Sequence, residues 1–194
     1  VHESGLLSVN KDSLWNLNDD IIPGYRALAD AVHQEGGRIL AQLAHSGGTV
    51  LISQPGRESW SASTVRSETT GNISHEMTLG EIQEVIDAHV CAARRVAAGG
   101  MDGVEILGAF GFLPQAFLSP LTNRRTDHYG GALENRMRFL MELLEAVKDA
   151  LGPNFVLGVR LPGDEFEPGG LDLAQMKEIC SRVSASGLVD YFNI

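Results

Sequence analysis

The chain has 194 residues, 43% of them apolar and 21% charged, which is the balance of a folded domain with a sizeable core and excludes a disordered segment. Its net charge of −10 is spread along the chain with no basic stripe, which argues against nucleic acid or a membrane surface as a partner. No apolar run reaches the roughly 18 residues of a membrane span, and the opening VHESGLLSVN lacks the segments of a signal peptide, so a cytoplasmic setting is expected.

In chain order, an opening loop leads to Pro23, which suits the first turn of a helix because its missing N–H would have no intrahelical partner there. That helix runs to Glu35, carries Tyr25, Leu28 and Val32 on one face, and stops at Gly36-Gly37. Residues 38–45 (RILAQLAH) read as a strand, and a long irregular stretch, 46–77, follows. Thr78 and Glu81 then form a capping box. The helix they open has an apolar stripe of Ile82, Val85, Ile86, His89, Val90 and Ala93 and ends at Gly99-Gly100; His89 on that stripe reads as a packed core histidine.

Residues 103–109 (GVEILGA) form the second strand, followed by a second long loop, 111–131. A third helix, about 132–151, buries Met137, Leu140, Met141, Leu144 and Val147 and ends at Gly152-Pro153. Residues 155–161 (FVLGVRL) are the third strand. The fourth helix starts at Asp172, with Gln175 in the reciprocal capping position, buries Leu173, Met176, Ile179 and Val183, and ends at Gly187 before a fourth strand, 188–194 (LVDYFNI). Cys91 and Cys180 lie far apart within two of these helices, the pattern of ordinary buried thiols and not of a disulfide, metal or cluster motif.

Strands alternating with helices indicate a parallel α/β architecture. A doubly wound sheet and a (β/α)8 TIM barrel both fit, and a barrel takes about 250 residues and eight strands, so the chain reads as an internal piece of one, a single partial domain over residues 1–194. Both long loops follow strands, at the carboxyl ends where barrel active sites are built.

Five positions carry candidate chemistry. Gln42, inside the apolar run ILAQLAH, is an amide that needs partners, supplied either by a ligand with donor and acceptor edges or by neighbouring backbone. Arg160, ending FVLGVR, is a permanent cation whose partner is either an anionic or carbonyl-rich ligand or the nearby Asp164 or Glu165. His45 opens the loop HSGGTV and is either a structural residue, a second-layer group or a substrate-side group. Asp164 and Glu165 are weighed as cation ligands, but no histidine spacing completes a metal site, and a solvated acidic loop accounts for them as well. There is neither a GxGxxG nor a phosphate-cradling Walker loop.

The stretch FLSPLTNRRTDHYGGALENRMRF, residues 117–139, resembles the signature of the old yellow enzyme family, the NADH:flavin oxidoreductases. VHESGLLSVN, HQEGGRILAQLAHSGG, EMTLGEIQEVIDAHVCAARRVAAGGMDGVEI and VLGVRLPGDEFEPGGLDL extend the likeness in the family's order over essentially the whole chain. The resemblance implies an FMN-binding TIM barrel, with this chain covering about strands three to six, the earlier strands and the phosphate-binding seventh and eighth strands falling outside it. It implies that Gln42 and Arg160 hold the pyrimidine edge of FMN, and that hydride passes from NAD(P)H through the flavin to a small-molecule acceptor such as an activated alkene. The residues 1–194 alone are then expected to bind FMN weakly or not at all, any iron–sulfur cysteines of larger relatives would lie downstream, and homo-oligomer formation stays open. The motif NRRTDHYGGALENR reads as architectural, Arg124, Arg125, Asp127, Glu134, Asn135 and Arg136 pinning the second long loop to the next helix across the Gly130-Gly131 turn.

One stretch departs from the family pattern. Where typical members read EIHGAHGYL, with polar side chains that hold and protonate substrate, this chain reads EILGAFGFL and places Leu107, Phe110 and Phe112 at the substrate-pocket positions. None of the three donates a hydrogen bond. Ordinary enone reduction loses its usual support, and the alternatives are a flavin-dependent amine dehydrogenase or demethylase, whose cationic substrate suits aromatic rings, or a non-catalytic flavin-binding relative.

Overall fold

A computed structural model describes residues 1–5, 14–49, 59–66, 71 and 73–194; parts of the opening segment (6–13) and of the first long loop (50–58, 67–70 and 72) lie outside the described residues. The elements are α1 (Ile22–Gln34), β1 (Leu40–Leu43), β2 (Trp60–Ser61), β3 (His75–Glu76), α2 (Leu79–Ala98), β4 (Gly103–Leu107), α3 (Leu113–Leu118), α4 (Leu133–Leu151), β5 (Val156–Arg160), α5 (Leu173–Ser186) and β6 (Tyr191–Asn193). The four anticipated strands pair in parallel in the order β1-β4-β5-β6, so all of their carboxyl ends point the same way. β2 and β3 form a separate two-stranded parallel ribbon inside the first long loop.

Alternation along the strands divides the sheet into two faces. Val104, Ile106, Leu157 and Val159 are buried in the main core with Ile82, Val85 and Val96 of α2 and Leu140, Leu144 and Val147 of α4. The opposite face carries the register partners Gln42, Glu105, Gly158 and Tyr191 in one row, and Leu107, Arg160 and Asn193 in the next row toward the carboxyl ends.

The helix ends follow local chemistry. Thr78 and Glu81 make both halves of their capping box, whereas Asp172 accepts from the Gln175 N–H without the reciprocal bond; the Gln175 carbonyl oxygen is buried without a partner. His89 is buried, its Nδ1 bonded to the Val85 carbonyl, and burial pushes its pKa down to about 3, so it is a neutral core residue. Several expected burials do not hold: Leu28 and Leu173 are exposed, and so is Cys91, which falls on the outer side of the α2 stripe.

The second long loop is more ordered than its sequence reads. LPQAFL forms α3, a short helix buried on all sides, started by Pro114 in its first turn. Arg125, 6% exposed, pairs with Asp127 and donates to the carbonyls of Ala62 and Met77, tying this loop to the ribbon in the first one. Asn135 donates to Gly130 and Arg136 to Leu118 and Gly131. A Cβ on Gly130 would lie 2.1 Å from the Arg125 carbonyl oxygen, so only glycine fits that turn.

At the amino ends of the strands the same clasp occurs twice. Asp102, just before β4, donates its N–H to the Ile39 carbonyl and accepts the Ile39 N–H on its carboxylate at 2.8 Å. Asp190, just before β6, does both to Leu157, the carboxylate bond being 2.7 Å. The bond from His33 chiefly holds the Asp102 carboxyl below the usual range, and the Leu157 N–H does so for Asp190. Asp102→Ala is therefore expected to lower stability by about 1–3 kcal/mol, and the more exposed Asp190→Ala by less. Because both folded-state pKa values are depressed, this contribution is complete above the ordinary aspartate range and is lost as pH falls below about 4. Thermal unfolding of each variant against pH measures it; unchanged midpoints at pH 7 would refute the clasp.

Candidate active site

The carboxyl ends of β4 and β5 open onto a cavity of about 600 Å³ whose walls include Phe110, Gln115, Arg160, Asp164, Glu165 and Glu167. Arg160 is half-buried here. Its guanidinium lies 4.6 Å from the centre of the Phe110 ring, a cation–π contact, and makes no hydrogen bond or ion pair among the described residues. The ion-pair alternative for Arg160 thus finds no support. Asp164 instead accepts the N–H groups of Phe166 and Leu173, and Glu165 accepts Gln115, Ser119 and the Leu171 N–H. With their oxygens so engaged these carboxylates brace the loop, and no group of three or more His, Cys, Asp or Glu placed to hold a metal occurs among the described residues.

The positions expected around a substrate separate into two settings. Leu107 and Phe112 are buried, 5% and 8% exposed, in a small apolar cluster with Ala109. Phe110 is 64% exposed and has a φ of 59°, in the left-handed region that a bulky side chain rarely adopts. The next residue is anchored, because the Gly111 N–H donates to the Gln115 carbonyl oxygen at 2.8 Å and the Gln115 amide donates to Glu165 at 2.7 Å. This chain of bonds links the loops after β4 and β5 and sets the turn that presents the Phe110 ring to Arg160.

His45 is fully buried, and both ring nitrogens are engaged. Its Nδ1 accepts the Gly47 N–H, so Nε2 carries the proton toward Ser4 Oγ at 3.0 Å. Burial, with the nearby His89 adding to it, holds its pKa well below the ordinary range and keeps it neutral. It does not line this cavity, and its carbonyl accepts the Leu113 N–H at the start of α3, the arrangement of the second-layer alternative.

Gln42 is exposed, not buried as its apolar surroundings implied, and lines a separate groove of about 310 Å³ along β1. Its amide Nε2 donates to Glu105 Oε1 at 2.6 Å, and its carbonyl oxygen takes no hydrogen bond among the described residues. Gln42 and Arg160 stand one strand apart on the same face, with Cα atoms roughly 10–12 Å from each other by strand spacing and rise. Two long side chains at that distance, one with a free acceptor and one with free donors, suit the edge of a planar ligand that alternates carbonyl and N–H groups.

Sequence reasoning passed over Glu105. It is 7% exposed in the middle of β4 and accepts from Gln42 on one side and from Asn193 Nδ2 at 3.2 and 3.4 Å on the other, with the Tyr191 phenol nearby. Burial first, and then this carboxylate, push the Tyr191 pKa up to about 12. A charged residue inside the apolar run GVEIL was the available signal. Gly158 leaves room for the Tyr191 ring, since a Cβ there would lie 2.2 Å from its Cζ. Gly158→Ala is expected to displace the ring from Glu105 at a cost of about 1–3 kcal/mol, read as a lowered thermal midpoint, with the Tyr191 ionisation moving down toward that of a free phenol; a wild-type midpoint would disprove the close fit.

A model of the NADH:flavin oxidoreductase / NADH oxidase family matches residues 2–187. An N,N-dimethylglycine/sarcosine dehydrogenase from Chromohalobacter salexigens is 40% identical over 98% of this chain and 28% of its own length. Among solved structures, a 2-naphthoyl-CoA reductase in complex with 2-naphthoyl-CoA superposes with a TM-score of 0.89 at 32% identity, over 97% of this chain and 30% of that one. The old yellow enzyme from Pichia sp. AKU4542 gives a TM-score of 0.83 at 27% identity, over 96% and 54%. The chain thus spans between about a quarter and about half of these relatives, and its four parallel strands with their helices form part of a TIM barrel of the old yellow enzyme type.

Proposed function

Because the chain belongs to the NADH:flavin oxidoreductase / NADH oxidase family, we propose that it forms the strand-three-to-six portion of an FMN-dependent oxidoreductase that takes hydride from NAD(P)H and passes it to an organic acceptor. The observation that carries this reading is the pairing of a free amide carbonyl on Gln42 with the unpaired guanidinium of Arg160 on one face of the sheet. Bound FMN would supply the two-electron chemistry. Gln42 would accept from its pyrimidine N–H, and Arg160 would donate to the neighbouring carbonyl and stabilise negative charge on the reduced ring. Phe110 on the cavity wall would exclude water and orient substrate by shape, while Leu107 and Phe112 stay packed in their apolar cluster.

A second reading, oxidation of an amine, has its own support. The substrate-pocket positions offer no donor to a developing enolate, and one such donor is worth about 2.7–4 kcal/mol in a comparable oxyanion site. Phe110 instead presents an exposed ring already stacked on a cation, and the matched dehydrogenase acts on N-methylated amines by its name.

Anaerobic stopped-flow absorbance of the FMN-loaded protein tests both. Bleaching by NADH or NADPH supports the first reading, bleaching by a tertiary or secondary amine the second, and a flavin reduced by neither refutes both in favour of a non-catalytic flavin-binding relative. Arg160→Leu is expected to weaken FMN at least about tenfold and to make the bound flavin harder to reduce. Flavin fluorescence titration and a redox titration measure the two effects, and unchanged values would remove Arg160 from the flavin site.

A further inference from the structure

We propose that Glu105 is a positioning residue that fixes which end of the Gln42 amide faces the ligand. This rests on the reading of Gln42 as a flavin contact. A glutamine amide is nearly symmetric in shape but opposite in chemistry at its two ends, and only its hydrogen bonds decide which end points where. Glu105 decides it here. Its carboxylate lies 2.6 Å from Gln42 Nε2 and accepts from Asn193 Nδ2 at 3.2 and 3.4 Å. A carboxylate so surrounded only accepts, so it binds the –NH2 end of Gln42 and turns the carbonyl outward.

The arrangement is rigid. Glu105 is buried in the central part of β4, directly opposite Gln42 in the strand register, and Gly158 on β5 leaves the space that the Tyr191 ring fills. No cation pairs with Glu105 among the described residues, so neutral donors from β1 and β6 alone compensate its burial. The acceptor that Gln42 offers a ligand is thereby set by two residues, Glu105 of β4 and Asn193 of β6, that are not part of the cavity wall.

A double-variant cycle on the FMN-loaded protein tests this, with FMN dissociation constants from fluorescence titration of the stripped and reconstituted protein and with the visible flavin spectrum as the second readout. Gln42→Leu is expected to weaken FMN about tenfold, Glu105→Leu to weaken it to the same level with the same spectral change, and Glu105→Leu added to Gln42→Leu to change neither. Glu105→Gln keeps the shape and one acceptor oxygen; it is expected to restore most of the affinity, leaving a loss of about threefold that again vanishes in the Gln42→Leu background. That arm carries the test if Glu105→Leu does not fold. Equal losses from the Glu105 variants in both backgrounds would overturn the proposal by showing a general structural role, and so would unchanged affinity and spectrum in them. If Gln42→Leu alone leaves both readouts unchanged, it is the flavin-contact reading of Gln42 that fails.

Discussion

A carboxylate in the middle of a parallel sheet must find its hydrogen-bond donors on the neighbouring strands, because leaving it unpaired away from water costs several kcal/mol. Glu105 imposes that demand on the inner face of this sheet. It requires an amide on β1, supplied by Gln42, and another on β6, supplied by Asn193, while Gly158 on β5 leaves room for the Tyr191 ring beside it. One acidic group thus specifies polar identity and size across four strands and fixes their register more tightly than apolar alternation does, since a slip by one residue would carry every partner to the other face.

The strands and principal helices were legible because each buries a face of regular period, and the boundaries shift only by residues that cap or fray. The capping box at Thr78 and the core role of His89 were readable for the same reason: each depends on neighbours three or four positions away along the helix. α3 was not readable, because LPQAFL is buried on every side and a short helix without a polar face has no amphipathic stripe. Glu105 was passed over because a two-residue period records that it faces away from the helices but not that donors from other strands meet it there. Arg160 had two partners on paper, and only the geometry of Asp164 and Glu165, bonded to their own loop, removed one of them.

The loops after β4 and β5 show how a sheet edge becomes a site. Phe110 occupies a left-handed backbone position that costs a bulky residue of the order of 1–2 kcal/mol, and the Gly111–Gln115–Glu165 bonds hold the turn beside it. The aromatic ring over Arg160 is therefore a consequence of a polar brace and not of apolar packing, which explains why an exposed phenylalanine can have a defined orientation. Arg125 and Arg136 do similar work one layer out, spending guanidinium donors on main-chain carbonyls of the loops.

The aspartate clasps at the opposite edge bear on how such a molecule can change. Asp102 ties β4 to β1 and Asp190 ties β6 to β5, each through two bonds to a single residue and none to the loops around the cavity. Adjacent strands are joined in pairs at one end, while the chemistry sits at the other. A lineage could therefore exchange polar for greasy side chains in the segment after β4, as EILGAFGFL illustrates, without renegotiating the joints that hold the scaffold, and the catalytic repertoire would drift while the architecture stayed put.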